Sequence, residues 1–213
     1  FLQAWQISAV KSFNDKDNEV FFSRIYTTYN LLMVLLCSII IIMVKFIAGI
    51  MFAYEFYEAW LFVPILLIAN VFGAMSGLIG GVFSAVKDTK IYSYSTMIGA
   101  FVNIVLNIIL IKFVGAIGAA IATAISYFVV WVIRMVNAKK YITLKLNIKR
   151  DLVVYIILVL QAVLMINITS IKVYILQLIL FISIIFLYYK EISGLLKGLW
   201  RYACTKLTML GGK

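Results

Sequence analysis

The sequence predicts an all-α, polytopic integral membrane bundle of about six full transmembrane helices, preceded by the end of another helix. Hydrophobic residues make up 65% of the 213 residues, and the mean hydropathy is +1.11. Soluble domains are closer to half apolar. The apolar residues form blocks of about 20, which is the length of a spanning helix, separated by short charged segments. A single proline and the lack of a long polar linker favour one membrane unit.

The first predicted element is residues 1–10, which are apolar and typical of the end of a helix already under way. We therefore expect the chain to be the C-terminal part of a longer protein. Residues 11–24 are polar and of mixed charge, which predicts a surface loop or an interfacial helix. Six spans follow. Their predicted ranges are residues 26–52, 59–86, 91–111, 115–136, 151–168 and 173–189.

The second span contains one proline and a regular series of glycines. Pro64 lies in its first turns, where a missing N–H is least disruptive. Gly73, Gly77 and Gly81 recur every four residues and form two overlapping GxxxG motifs. Such motifs predict that another helix backbone approaches closely. A hinge for alternating access is the functional alternative, and plain helix packing is the favoured interpretation.

The third span follows a predicted tight polar turn, KDTK, and residues 112–114 lead from it into the fourth span. The fourth begins with GAIGAAIATAISY, whose small side chains let membrane helices pack closely. Ala116, Ala120 and Ala124 form one predicted packing stripe, and Ala119 and Thr123 form a second beside it. The sequence therefore predicts a helix that contacts neighbours on more than one side.

The distribution of positive charge predicts the orientation of the spans. Of the 19 lysines and arginines, only Lys45, Lys112 and Lys172 fall on the side opposite the 11–24 segment. Because cytoplasmic segments carry the excess of positive charge, we expect the 11–24 segment and the C-terminus to face the cytoplasm. The charges flank apolar blocks and form no single basic face, so no nucleic-acid partner is expected despite a net charge of +11.

Three stretches together resemble a known family. In order they are EFYEAWLFVPILLIANVFG, GVFSAVKDTKIYSYSTMIGAFVNIVLNIILI and GAIGAAIATAISY. They resemble the C-terminal half of polysaccharide flippases, the O-antigen and repeat-unit exporters of the multidrug/oligosaccharidyl-lipid/polysaccharide superfamily. The most specific features are the KDTK turn between two helices and the G-x-x-G-A-A-I-A-T start of the next helix. The resemblance covers residues 26–140.

This resemblance implies two pseudosymmetric lobes around a central cavity, and transport of undecaprenyl-diphosphate-linked oligosaccharide to the outer leaflet of the bacterial cytoplasmic membrane. The implied partners are that lipid-linked oligosaccharide, the membrane lipids and a missing N-terminal lobe. The chain would supply most of the second lobe. The expected divisions are residues 1–25 (helix end and cytoplasmic loop), 26–140 (four-helix part), 141–189 (terminal helix pair) and 190–213 (basic cytoplasmic tail).

Polar residues inside spans are the first candidates for contact with such a substrate. Lys45 could attract the diphosphate, or its side chain could extend to the outer headgroups, which is slightly favoured. Asn103 and Asn107 lie one turn apart and could bind sugar hydroxyls, although interhelical hydrogen bonding is the favoured role. Asn70 and Gln161 are weaker candidates of the same kind.

Arginines and lysines near the inner span ends form a second group of candidates. Arg24, Lys87, Lys90 and Arg134 could gather an anionic substrate at the cytoplasmic mouth. Their favoured interpretation is simpler, because charges at these positions set the topology and contact lipid headgroups without any substrate.

The sequence predicts neither a metal site nor a cofactor. It has no histidine, and its cysteines are Cys37, within an apolar run, and Cys204, near the C-terminus. No P-loop motif is present. No carboxylate falls in the middle of a predicted span, so no proton relay of carboxylates is expected.

Competing functions remain open at this point. Another flippase or a multidrug exporter of the same superfamily would have a similar sequence pattern. A membrane-embedded polysaccharide polymerase or ligase would need catalytic groups at the outer face, where Glu55 and Glu58 are the carboxylate pair. A structural or accessory membrane protein is the third alternative. We expect a transporter and not an enzyme.

Overall fold

The computed structural model describes residues 2–13, 18–168 and 170–198. This part of the chain is helical and contains no strand, which confirms the all-α bundle. A 3-10 helix, Tyr54–Leu61, lies between the second and third α-helices. The α-helices are α1 (Leu2–Ser12), α2 (Asn18–Met51), α3 (Val63–Ala85), α4 (Thr89–Val114), α5 (Ala116–Ala138), α6 (Ile148–Asn167), α7 (Lys172–Leu187) and α8 (Tyr189–Gly198).

The number of membrane-spanning helices agrees with the sequence prediction. Five helices, α2 to α6, are long and apolar enough to cross a bilayer, and α7 with α8 gives a sixth if the bent pair is one span. The axes of α7 and α8 differ by 67°. The described residues therefore form a polytopic membrane protein, with α1 at the position expected for a helix that precedes the first span.

Helix α2 begins earlier than predicted. It starts at Asn18 and has 34 residues, which is about 50 Å at 1.5 Å per residue. The hydrocarbon core is only about 30 Å thick. No glycine or proline interrupts residues 18–30, and Phe22 and Tyr26 are buried, so nothing ends the helix there. Much of the segment predicted as a loop or interfacial helix is thus continuous with the span.

The KDTK turn is a tight polar connection, as predicted. Asp88 caps α4 by accepting a hydrogen bond from the Lys90 N–H, and Lys87 has a positive φ of 56°. The Tyr141 hydroxyl donates to Asp88 at 2.5 Å. This bond lowers the pKa of Asp88 and raises the pKa of Tyr141 relative to their ordinary values. The turn is therefore fastened to the segment that follows α5.

Helix α5 packs against both α3 and α4, as its small residues predict, but its buried line differs from the predicted stripe. Gly118, Ala122 and Ser126 are buried, whereas Ala116 is exposed and Ala124 only partly buried. Ala120 is buried as predicted.

Gly118 explains the difference. A Cβ atom at Gly118 would lie 2.5 Å from the carbonyl carbon of Leu110 and 2.6 Å from its oxygen. The backbones of α4 and α5 therefore come close together at Gly118, which is not part of the predicted Ala116/Ala120/Ala124 stripe.

Two of the three glycines in the predicted motif, Gly73 and Gly81, make room for aromatic side chains, which corrects the expectation of a neighbouring backbone at these two positions. A Cβ at Gly73 would lie 3.4 Å from the ring of Tyr127, and one at Gly81 would lie 2.4 Å from the indole nitrogen of Trp5. That indole donates a hydrogen bond to the Leu78 carbonyl at 2.8 Å. Gly81 thus lets α1 dock on α3.

The terminal helices pack on the first span. Helices α6 and α7 both contact α2, so the 141–189 pair is joined to the four-helix part along that helix. Residues 190–198 of the predicted tail continue as α8. The rest of the tail, including Cys204, lies outside the described residues, as do Asp15, Lys16 and Asp17 of the first polar segment.

Candidate functional site

A cavity of about 490 Å³ lies between α3, α4 and α5. We call it the Arg134 cavity. Small residues account for the space, because Gly73, Gly77, Gly99 and Ala100 line it and contribute almost no side-chain volume. Its polar lining is made of Ser76, Tyr92, Thr96, Asn103, Thr123, Ser126, Tyr127 and Arg134. A roomy space whose largely apolar lining carries several polar groups, within otherwise apolar spans, is the main candidate for a ligand site.

Arg134 is buried, with 4% of its surface exposed. Its Nε donates to the Ser95 hydroxyl at 3.0 Å, and its Nη1 donates to the Ser76 carbonyl at 2.9 Å. Its Nη2 donates to the Thr96 hydroxyl at 2.9 Å. The guanidinium carbon lies 4.0 Å from the centre of the Tyr92 ring. One side chain of α5 therefore binds both α3 and α4.

The charge of Arg134 has no carboxylate partner among the described residues. The ion pairs in that part of the chain join Arg150 to Asp151 and to Glu191. Hydroxyls, a carbonyl and the Tyr92 ring stabilise the guanidinium, but they do not neutralise it. An arginine held this way in a membrane protein favours an anion beside it, and phosphate oxygens match its planar array of donors.

The lining of the cavity also includes amide and hydroxyl groups. The Asn103 amide donates to the Thr123 hydroxyl at 3.5 Å, a long contact, and Asn107 donates to the Asn103 carbonyl and side-chain oxygens at 2.8 and 3.0 Å. Asn103 and Thr123 both line the cavity. Groups of this kind can exchange such contacts for hydrogen bonds to sugar hydroxyls.

The structure brings only some of the predicted site residues together. Arg134 and Asn103 line one cavity, and Asn107 reaches it through Asn103. Lys45 lies apart, with its ammonium 4.7 Å from the centre of the Trp60 ring. Arg24 is exposed and lines a separate pocket.

The two weaker candidates also lie elsewhere. Asn70 is exposed, and Gln161 is fully buried. Gln161 accepts a hydrogen bond from Ser38 at 2.8 Å and exchanges amide contacts with Gln177. This cluster joins α2, α6 and α7, which is the interhelical role favoured for such residues.

Sequence reasoning placed Asp151 at an inner span end and missed its burial. Only 2% of its surface is exposed. Its Oδ1 accepts hydrogen bonds from Arg150 and from the Tyr188 hydroxyl. Tyr188 in turn accepts from the Asn30 amide, and Tyr155 donates to Asn30. Tyr155 lies one turn after Asp151, so the two residues share a face of α6. This spacing is the sequence signal that could have indicated a polar contact on that face.

The fold and the cavity define a multi-pass helical membrane protein with a pocket between α3, α4 and α5 that contains one buried arginine and several hydroxyl and amide groups. A stretch of 99 residues, 46% of the chain, is 31% identical to a protein of Haloferax volcanii described as "Probable low-salt glycan biosynthesis flippase Agl15". The chain covers 21% of the length of that relative. No protein-family model and no solved structure matches the chain.

Proposed function

We propose that the chain is part of a membrane transporter of glycan biosynthesis that moves a lipid-linked oligosaccharide from the cytoplasmic to the outer leaflet. The observation that carries the proposal is the Arg134 cavity, which combines an uncompensated buried cation with amide and hydroxyl groups. The similarity to a protein described as a glycan biosynthesis flippase supports the same conclusion. The proposed carrier is undecaprenyl diphosphate, and the protein acts as a transporter and not as an enzyme.

The lining of the cavity suits the parts of such a substrate. Arg134 would attract the diphosphate, whose oxygens accept hydrogen bonds from a guanidinium. Asn103 and Thr123 would contact sugar hydroxyls. Helices α3 and α5 would shield these polar parts from lipid, where an unsolvated anion is very unfavourable. The proposed role of the cavity is substrate binding, and it does not include the coupling of transport to an energy source.

Depth and orientation are consistent with entry from the cytoplasm. Arg134 lies four residues before the end of α5, about 6 Å along its axis, and the basic segment follows that end. Asn103 is fourteen residues into α4, about 21 Å along the axis. With the basic ends in the cytoplasm, the cation lies near the inner leaflet and the amide lies near the middle of the bilayer.

The proposal includes partners and a location. An N-terminal lobe would complete the route, and membrane lipids would surround the exposed apolar faces. The location is the cytoplasmic membrane of the cell, with the C-terminus on the cytoplasmic side. Lys45 and Asn107 remain proposed substrate contacts outside the centre of the site, whereas Arg24 lines a separate pocket.

The test is transport by the purified protein in proteoliposomes that contain a fluorescent polyprenyl-diphosphate oligosaccharide. We expect Arg134→Gln to reduce the flipping rate about tenfold or more, which corresponds to the loss of one charge-assisted hydrogen bond of 1.5–3 kcal/mol. Lys112→Gln, at the exposed opposite end of α4, is the matched loss of one charge and should leave the rate unchanged.

A second variant separates substrate contact from folding. Thr123→Val keeps the shape of the side chain and removes the hydroxyl that meets Asn103. We expect slower flipping with unchanged melting temperature. Normal flipping in both Arg134→Gln and Thr123→Val would contradict the role of the cavity.

A further inference from the structure

We propose a second binding site, for the phosphate of an anionic glycerophospholipid headgroup in the cytoplasmic leaflet. It is a pocket of about 330 Å³ between the first turns of α2, the linker before α6, and α8. We call it the Arg24 pocket. The residues that carry the inference are Arg24, Thr27, Thr28, Lys145 and Glu191, all of which line it. The site is separate from the Arg134 cavity and goes beyond the proposed transport function.

The pocket lies at the depth of the lipid headgroups. The apolar part of α2 begins at Leu31 and continues to the end of the helix at Met51, and this is enough to cross the hydrocarbon core. Arg24, Thr27 and Thr28 precede it, so they project beyond the acyl chains. Helix α8 forms the other wall, and its axis turns away from that of α7 by 67°.

The charge of the pocket is positive. Arg24 and Lys145 are exposed, and neither takes part in an ion pair within the described ranges. Glu191 is the acidic residue of the lining, and its carboxylate pairs with the Arg150 guanidinium. Two cations therefore remain for an anion. Anionic lipids of the cytoplasmic leaflet attract such basic groups at this depth.

Hydrogen bonds that involve side chains hold the walls of the pocket in place. The Lys145 N–H donates to the Ser23 hydroxyl at 2.9 Å, which holds the linker against α2. Thr27 donates to the Ser23 carbonyl at 2.9 Å. Glu19, one turn before Ser23, is not part of the lining and accepts from the Thr143 hydroxyl at 2.5 Å.

The donors match a phosphate that is attached to a lipid. The guanidinium of Arg24 can bind two phosphate oxygens at once, and Lys145 supplies a point charge. Leu195 of α8 adds an apolar wall, which suits the glycerol backbone and acyl chains of a phospholipid better than a free ion. We therefore assign the pocket to a bilayer phospholipid.

The test measures lipid retained by the purified protein after extraction from nanodiscs of equal phosphatidylglycerol and phosphatidylcholine, by native mass spectrometry. We expect Arg24→Gln/Lys145→Gln to retain about tenfold less phosphatidylglycerol, because each basic group near the surface contributes to the attraction of anionic lipid. The matched control is Lys112→Gln/Lys172→Gln, which removes two exposed charges from the helix ends predicted to face away from the cytoplasm. This variant should retain the wild-type amount.

Further arms identify the ligand. Phosphatidylcholine retention should not change in either variant. Inorganic phosphate at about 50 mM should not displace the lipid, because the free anion lacks the apolar contacts of a phospholipid. Arg134→Gln should retain phosphatidylglycerol normally, so failure of this site is distinguishable from failure of the transport site. Equal retention in the two double variants overturns the proposal. Displacement by an equimolar polyprenyl diphosphate also overturns it, because it would assign the pocket to the transported lipid.

Discussion

Asp151 is buried, unlike Glu191, the carboxylate that shares its arginine partner. Its charge is balanced by Arg150, whose guanidinium also pairs with Glu191 and lies 4.1 Å from the centre of the Tyr188 ring. Because α6, α8 and the residue between α7 and α8 all contribute, this cluster holds the bend after α7. Removing one member of a buried pair leaves the other charge poorly compensated.

We expect Asp151→Asn to lower the free energy of unfolding by about 1–3 kcal/mol, because Arg150 keeps Glu191 but loses its buried partner. Unfolding in detergent, followed by circular dichroism, measures the change. Glu191→Gln is the matched control. Its side chain is 30% exposed, so its pairing should contribute less than about 1 kcal/mol. Equal destabilisation by the two variants would contradict this account of the cluster.

At the scale of the elements, the sequence predicted the spans well because long apolar blocks and positive flanks are local signals. It located Pro64 at the start of α3 and the KDTK turn between helices. It did not predict which face of α5 is buried. That face depends on how the helices are rotated against each other, which the spacing of Ala116 and Ala124 does not determine.

Gly118 provides the test of this packing. We expect Gly118→Ala to destabilise the protein by about 1–3 kcal/mol, because the added Cβ would overlap the Leu110 carbonyl group. Gly49→Ala, in α2, is the control, since a Cβ there meets no atom within 4 Å. It should be neutral or stabilise by up to about 1 kcal/mol. Thermal unfolding of both variants gives the comparison, and a stable Gly118→Ala variant would refute the close approach of α4 and α5.

At the scale of the whole molecule, the candidate site was only partly predictable. Arg134 and Asn103 were recognised individually as polar residues in or near spans. The cavity that joins them is also lined by Gly73 and Gly77 of α3 and by Gly99 of α4. The sequence does not show that these glycines face the same space, because that depends on how the helices pack. The buried Asp151 cluster was missed for the same reason, since its members are distributed over α2, α6 and the bend after α7.

The orientation of the whole bundle is directly testable by cysteine accessibility. In a background with Cys37→Ser and Cys204→Ser, we expect Thr89→Cys, in the KDTK turn, to react with an impermeant maleimide only from the cytoplasmic side. Glu58→Cys, in the exposed 3-10 helix, should react only from outside. Both residues are exposed and lie near the ends of spans. Their labelling therefore depends on the side of the membrane to which the reagent is added. The reverse pattern would contradict the assigned topology.

Arg134 already uses its N–H groups to hold α3 and α4 against α5. An anion that recruits any of those donors takes it away from a neighbouring helix, so cargo and scaffold compete for the same hydrogens. In the proposed transporter, binding of an anion in the cavity would therefore weaken the hydrogen bonds that join α3, α4 and α5, and a bound substrate would favour separation of these helices.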